Sequence, residues 1–372
     1  MIVYISMVAW ILVIHCICPK WQYTNQRTGK IRFEASYTQA FLTAAFIIFF
    51  IGLRSDGADT SAYIKLFREL PVGFGNMVSA VKSGMDEVGF EIFGIFVKTY
   101  ISQDFHVYLF IIAAISGCAV FLTLRKYSEY FTSSMVLFML SGTFTWMING
   151  IRQFLAVSLA FAAVKLILEK KTVLYIILVC LLSTVHTSAL ILIPVYFIVQ
   201  GEAWNQKTVW TLIASMLVLV FTSQFTNILD SVLVGTTYEG AVEQFATDDG
   251  ANPIRVLINA VPAVIAFLNR RQVKEKAPRI IHICINMSIV GCGVSLISVV
   301  TSGILIGRLP IYFTIYNLIL LPWLVQKTFH GETRKILYLI MMGLYAVYFY
   351  YQNFVVNYYY YASDILHMYF FK

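Results

Sequence analysis

Charge is what this chain has least of. Asp, Glu, Lys and Arg make up 12% of its 372 residues, against about 25% in an ordinary globular domain. That scarcity excludes a soluble protein. No C-x-x-C pair occurs, and the six cysteines (Cys16, Cys18, Cys118, Cys180, Cys284 and Cys292) all lie inside apolar runs, so they read as packing residues rather than a redox or zinc site. No Asp-x-Asp pair, His cluster or EF-hand spacing appears either, so neither a metal nor another cofactor is expected. No internal repeat is found, and no long polar stretch offers the large soluble domain of a scaffold protein. The first hydrophobic run lacks a basic n-region and a small-x-small cleavage pattern, and reads as a retained anchor.

What the chain does have is hydrophobic sequence, at 59% of all residues and a mean hydropathy of +0.76. About twelve apolar runs, beginning with Ile2–Cys18 and ending with Ile336–Val356, recur from end to end. Crossing a bilayer as a helix takes roughly 17–25 residues. The expected fold is therefore all-α, a polytopic membrane protein of about twelve transmembrane helices forming one integral domain over residues 1–372. The two runs either side of His186, Thr172–Thr184 and Ser188–Val199, are short and read as one long helix or as a broken pair.

The net charge of +8 is unevenly spread. With spans alternating sides and 54–104 taken as one long loop, the loops on one side hold eighteen of the 27 basic residues and only six of the 19 acids. Excess Lys and Arg mark the cytoplasmic face, which puts both termini outside. This charge orients the protein, and no nucleic-acid partner follows from it. The basic 269–279 loop faces anionic lipid on this reading.

Two external regions are long enough to hold structure. Residues 54–104 predict interfacial amphipathic helices, one from Thr60 to Leu70 capped by Asp59 and one from Glu87 to Ile101 capped by Asp86. Residues 226–252 form an acidic loop, read either as a lid over a site or as a solvated connection. The tyrosine run Tyr358–Tyr361 reads as an interfacial aromatic belt or as a sugar-stacking surface.

Two arginines stand isolated in apolar surroundings: Arg152, within Asn149-Gly150-Ile151-Arg152-Gln153, and Arg308, after Ile306-Gly307. A guanidinium at a bilayer edge costs several kcal/mol unless it is paired, about as much as any residue there, so it marks a functional site by default. Arg54 ends the second run on the same external side, His186 falls at an external turn, and Asp59 and Glu87 share a loop with Arg54. Guanidinium forks suit phosphate oxygens, and an external phosphate at the lipid boundary belongs most naturally to a lipid diphosphate. Asn149, Arg152 and Gln153, at i, i+3 and i+4, are expected on one helical face. Each residue also has a structural reading: Arg54 and Arg308 snorkelling, Arg152 paired with an acid from another loop, His186 capping a helix, Asp59 as a cap, Glu87 as a first-turn acid.

The ordered motifs resemble a known family. Gly52-Leu53-Arg54, Asp59-Thr60-x-x-Tyr63 with Phe67, and Glu87-x-Gly89-Phe90 resemble the first external loop of EpsG-type polysaccharide polymerases. The Asn149–Gln153 block with Ala156 resembles that family's central motif, followed by His186-x-Ser188-Ala189-Leu190 and Gly307-Arg308-x-x-x-Tyr312. At the tail, a Pro-Tyr motif is replaced by Asn357 and tyrosines. The resemblance implies a Wzy-like, GT-C-like polymerase in the bacterial cytoplasmic membrane, making exopolysaccharide, capsule or O-antigen with its site facing outside. Its substrates would be oligosaccharides on undecaprenyl diphosphate, its surroundings membrane lipid, and its partner a chain-length regulator protein. Arg152 and Arg308, helped by Arg54, would hold the diphosphate. His186 would be the general base, with Asp59 and Glu87 as rivals, and Tyr63, Tyr312, Asn149 and Gln153 would line the substrate. An O-antigen-ligase-like transferase and a lipid-linked oligosaccharide flippase remain the alternatives.

Overall fold

A computed structural model describes residues 2–18, 21–24, 31–83, 86–233, 250–303 and 306–370. Among these, helices dominate, and the strands form two short antiparallel hairpins, Trp21–Thr24 with Ile31–Glu34 and Tyr361–Ser363 with Met368–Phe370. Three helices, Phe105–Tyr127, Arg279–Val299 and Gly331–Val356, are long and apolar enough to cross a membrane. The number rises to six if each of three sharply bent pairs is one span, and six further apolar helices have only 10–17 residues. These helical segments coincide in position with the apolar runs of the sequence. Short length is where helix and span part company, because a 12-residue helix rises about 18 Å against a hydrocarbon core of about 30 Å.

The chain divides into two compact units, one of Met1–Lys165, Val173–Leu190 and Gly331–Lys372, the other of Leu166–Thr172 and Ile191–His330. The first unit opens with α1 (Ile2–Ile17) and α2 (Tyr37–Gly52). Ser36 caps α2 by accepting the Gln39 N–H at 3.0 Å, which satisfies one of the orphan donors of the first turn.

Three helices occupy residues 54–104: α3 (Thr60–Glu69), α4 (Phe74–Ser83) and α5 (Val88–Tyr100). Thr60, Tyr63, Ile64 and Phe67 recur at helical spacing and form the buried stripe of α3. That stripe packs into a core with Phe90 and Val97 of α5, Tyr108 and Ile112 of α6 (Phe105–Tyr127), and Ile151 and Leu155 of a later helix. Phe67 and Tyr108 stack at 4.3 Å between ring centroids. Lys98 of α5 donates to the carbonyl oxygens of Phe67, Arg68 and Leu70 at 3.0, 2.7 and 2.6 Å. A cation at the negative end of the α3 dipole fixes where α3 stops and ties it to α5. The helix α4 was not expected from sequence. It is held through Met77 and Ala80 against Ile95, a tertiary contact that outweighs its flanking glycines.

After α7 (Phe131–Leu140) a 3-10 turn, Thr143–Met147, leads into α8 (Ile151–Ala162). The helix Thr172–Ser183 ends before His186, so this stretch is broken rather than continuous. One of the boundaries between the two units falls between Leu190 and Ile191.

In the second unit, Arg279–Val299 packs against Pro253–Leu268 and Gln206–Val220. Asn286, wholly buried on that central helix, donates to the Val199 and Glu202 carbonyls and accepts the Trp204 N–H, so its amide is satisfied on both sides. Of the acidic 226–252 region, residues 234–249 lie outside the described residues, including Glu239, Glu243, Asp248 and Asp249. Asp230 lies on the helix Thr222–Leu233.

Candidate functional site

Gly150 makes the local geometry around Arg152. It has φ +77 as the residue before α8, a left-handed conformation that L side chains rarely adopt, and a Cβ there would lie 3.0 Å from the Trp146 ring. The sharp turn starts α8 at Ile151, leaving Asn149 outside the helix. Asn149, Arg152 and Gln153 therefore do not share a helical face, correcting the i, i+3, i+4 expectation. Gln153 is turned inward and buried, whereas Arg152 keeps 38% of its side chain exposed.

The Arg152 guanidinium meets Glu87, with Nη1 2.7 Å from Oε2. It also stands over the rings of Phe90 and Tyr63, at 5.7 and 6.0 Å to their centroids. The Tyr63 hydroxyl accepts the Arg152 N–H at 3.3 Å. The other carboxylate oxygen of Glu87, Oε1, accepts the Thr187 N–H at 3.3 Å and lies 3.5 Å from His186 Nδ1. Nδ1 is 2.9 Å from Ser188 Oγ, and the Ser188 N–H approaches the same nitrogen at 3.3 Å. Gln153 Nε2 donates to Ser188 Oγ at 3.5 Å. Residues separated by 99 positions in sequence thus form one arrangement, with the Glu87 carboxylate between a guanidinium and an imidazole.

Glu87 reaches this position because α5 begins at Val88, one residue after the start the sequence predicts. It is not the first helical residue behind an Asp86 cap. Glu87 itself precedes α5 in a left-handed conformation (φ +58) and makes no capping bond with its side chain. The energy of a cap, about 1 kcal/mol, is given up to an ion pair and a contact with His186. Asp59 shows the same exchange. It occupies the cap position of α3 but makes no side-chain cap bond; its Oδ2 instead accepts the Gly150 N–H at 2.8 Å, and its own N–H donates to Ile148 O at 3.3 Å. Asp59 therefore holds the turn that presents Arg152.

Close packing joins α5 to the His186 turn. The Gly89 and Phe90 N–H groups both donate to Thr184 O, at 2.8 and 3.3 Å. A Cβ on Gly89 would lie 2.2 Å from Thr184 Oγ1 and 3.0 Å from Thr184 O. Gly89→Ala is expected to push these segments apart at a cost of about 1–3 kcal/mol, lowering the thermal midpoint of the purified protein. An unchanged midpoint would show that the two segments move freely.

Arg54 does not present its charge outward. It is 3% exposed, donates from Nε to Thr60 Oγ1 at 2.8 Å and from Nη1 to the Ile51 carbonyl. Burial pushes its pKa down to about 10, opposed by the nearby Tyr4 and Tyr361 rings, so it stays charged at neutral pH. Its guanidinium is engaged within its own loop, because Thr60 and the end of α2 supply acceptors before any ligand can. Arg308 and Tyr312 belong to the second unit. Arg308 closes the 3-10 turn Ile306–Arg308 and is half-buried, the Gly307 N–H donates to Ser302 O at 2.8 Å, and Tyr312 is buried.

The tyrosine run divides. Tyr361 is buried and donates to Phe50 O at 2.9 Å, so it is not part of an interfacial belt, whereas Tyr358 is exposed. The Tyr359 hydroxyl accepts from Asn149 Nδ2 at 2.8 Å. Composition cannot reveal this contact, since nothing in a run of tyrosines names its partners.

No curated protein and no solved structure matches the chain. The sequence model of the EpsG family does match, over residues 37–364, and its span contains the ion pair, the His186 turn, Arg152, Arg308 and the tyrosine that meets Asn149. With most of its length matched in this way, the chain belongs to the EpsG family.

Proposed function

We propose that the protein is a polysaccharide polymerase that transfers a growing glycan from its polyprenyl diphosphate onto a lipid-linked repeat unit. The observation that carries this reading is the contact of Arg152, Glu87 and His186 at the ends of apolar helices in an EpsG-family chain. The reaction runs at the outer face of the bacterial cytoplasmic membrane, in a bundle of about twelve spans with a GT-C-like plan. Undecaprenyl diphosphate is the carrier, and a chain-length regulator is the partner.

In the step itself, the bond between the donor's anomeric carbon and the diphosphate oxygen breaks, and the diphosphate leaves with the electron pair. Arg152 stabilises that charge as it develops, which is where electrostatic catalysis is most effective. The acceptor sugar hydroxyl forms the new glycosidic bond and gives its proton to His186. A proton on Nδ1, drawn to the Glu87 carboxylate and Ser188 Oγ, leaves Nε2 as the accepting nitrogen. The charged Glu87 acceptor outweighs the long approach of the Ser188 N–H in favouring that tautomer. Glu87 thus orients the base and balances Arg152 until the diphosphate arrives. Tyr63 and Asn149 line the substrate, Gln153 holds Ser188 from the buried side, and Arg54 with Asp59 supports the loop.

The test is the lipid-linked glycan profile of a strain lacking this protein. Accumulation of single repeat units on outer-leaflet undecaprenyl diphosphate is expected. Long polymer that is made but never attached would identify a ligase, and repeat units trapped inside would identify a flippase.

A further inference from the structure

Beyond its last long helix the chain folds back on the loops that carry the candidate site. Tyr358 takes φ +50, an uncommon conformation for a bulky residue. It reverses the chain, and the Tyr359 N–H returns to Asn353 O at 2.8 Å. Adjacent tyrosines then reach two different loops. The Tyr359 hydroxyl accepts from Asn149, before α8, at 2.8 Å, and the Tyr360 hydroxyl donates to Asp56 Oδ2, before α3, at 2.8 Å. Further bonds secure the tail to the second loop. Ser55 N–H donates to Ala362 O at 2.9 Å, Asp364 N–H to Ser55 Oγ at 2.9 Å, and Ser363 Oγ to Leu53 O at 2.5 Å. The Tyr4 hydroxyl donates to Tyr360 O at 3.0 Å.

We propose that Tyr359 and Tyr360 are positioning residues for catalysis: their hydroxyls clamp the Asn149–Gly150 turn to the 53–59 loop and so hold Arg152 and Asp59 in register. The tail touches neither Arg152 nor Glu87 in any contact named above; it acts through Asn149 and Asp56. Among the described residues, the Asp59 bonds to Gly150 and Ile148 also tie the two loops directly. Losing the tyrosine hydroxyls leaves the Asp59 bonds, with the Tyr63 and Glu87 contacts of Arg152 itself, to set the Arg152 position, and an error of about 1 Å in a catalytic group costs about 10²-fold in rate.

This inference rests on the polymerase reading, and its test separates the two. Purified protein is assayed with lipid-linked repeat units isolated from the deletion strain. Tyr359→Phe with Tyr360→Phe keeps both rings and removes both hydroxyls. It is expected to lower kcat at least tenfold with KM for the lipid-linked donor and the thermal midpoint unchanged. Asp56→Ala, which breaks the Tyr360 bond from its other end, is expected to lower kcat in the same direction, and Asp56→Asn, which keeps a partner for that hydroxyl, to restore it. Wild-type kcat in the double variant overturns the clamp, and so does a fall in thermal midpoint that accounts for the lost activity. Wild-type protein that makes no polymer overturns the polymerase reading instead.

Discussion

Arg152→Ala is expected to abolish polymer while the protein remains in the membrane. The guanidinium is the one group of the Arg152–Glu87–His186 arrangement with a full positive charge at all working pH values, and its partial exposure leaves it reachable by a ligand. Removing a single group that stabilises developing negative charge costs about 10²–10³ in kcat. The same substitution strips Glu87 of its 2.7 Å partner, so a loss of activity by itself is ambiguous between chemistry and folding. A charge exchange separates them. Arg152→Glu combined with Glu87→Arg restores an ion pair across the same gap, and is expected to recover thermal stability but not polymer. Recovery of polymer would show that the pair serves only to join α5 to α8. Arg152→Lys is expected to recover little, because an ammonium cannot match the fork geometry that a diphosphate accepts. The readout is polymer length on the lipid carrier, alongside protein in the membrane fraction.

Substituting His186 has an expected effect of at least comparable size. His186→Gln is expected to lower kcat by about 10²–10⁴, the usual contribution of a general base, with donor binding retained. Glu87→Gln is expected to lower kcat less than His186→Gln does, since an amide still accepts the Thr187 N–H but no longer draws the imidazole proton. Single-turnover assays on preformed enzyme–donor complex read the chemical step directly. Equal kcat in wild type and His186→Gln would remove His186 from the reaction and move the base to Glu87 or Asp59.

Part of this arrangement is legible in the residues alone. The apolar runs mark the helices, since no polar backbone can stay unpaired in lipid and intrasegment bonding is the helical solution. The spacing of Thr60, Tyr63, Ile64 and Phe67 marks α3. The isolation of Arg152 in greasy sequence singles it out, as does the turn around His186. Other features are invisible at that level. Helix α4 carries Gly75 and follows Gly73, poor helix formers, and is held because Met77 and Ala80 find Ile95. Asp59 stands where a cap is expected and Glu87 takes the cap position one residue after the expected one, yet both forgo capping bonds for partners about 90 and 65 residues away. The tyrosine tail has no recognisable pattern, yet it binds two loops through its hydroxyls.

By itself, the sequence determined the helical membrane character, the family motifs and which residue types bear chemistry, because those properties depend on local composition and on spacing along the chain. Tertiary structure alone decided that Glu87 lies between Arg152 and His186, that Arg54 is buried in its own loop, and that Tyr359 meets Asn149. An ion pair or a hydrogen bond acts over a few ångströms of space whatever the separation in sequence, so only the packed chain determines which of several polar groups satisfies another.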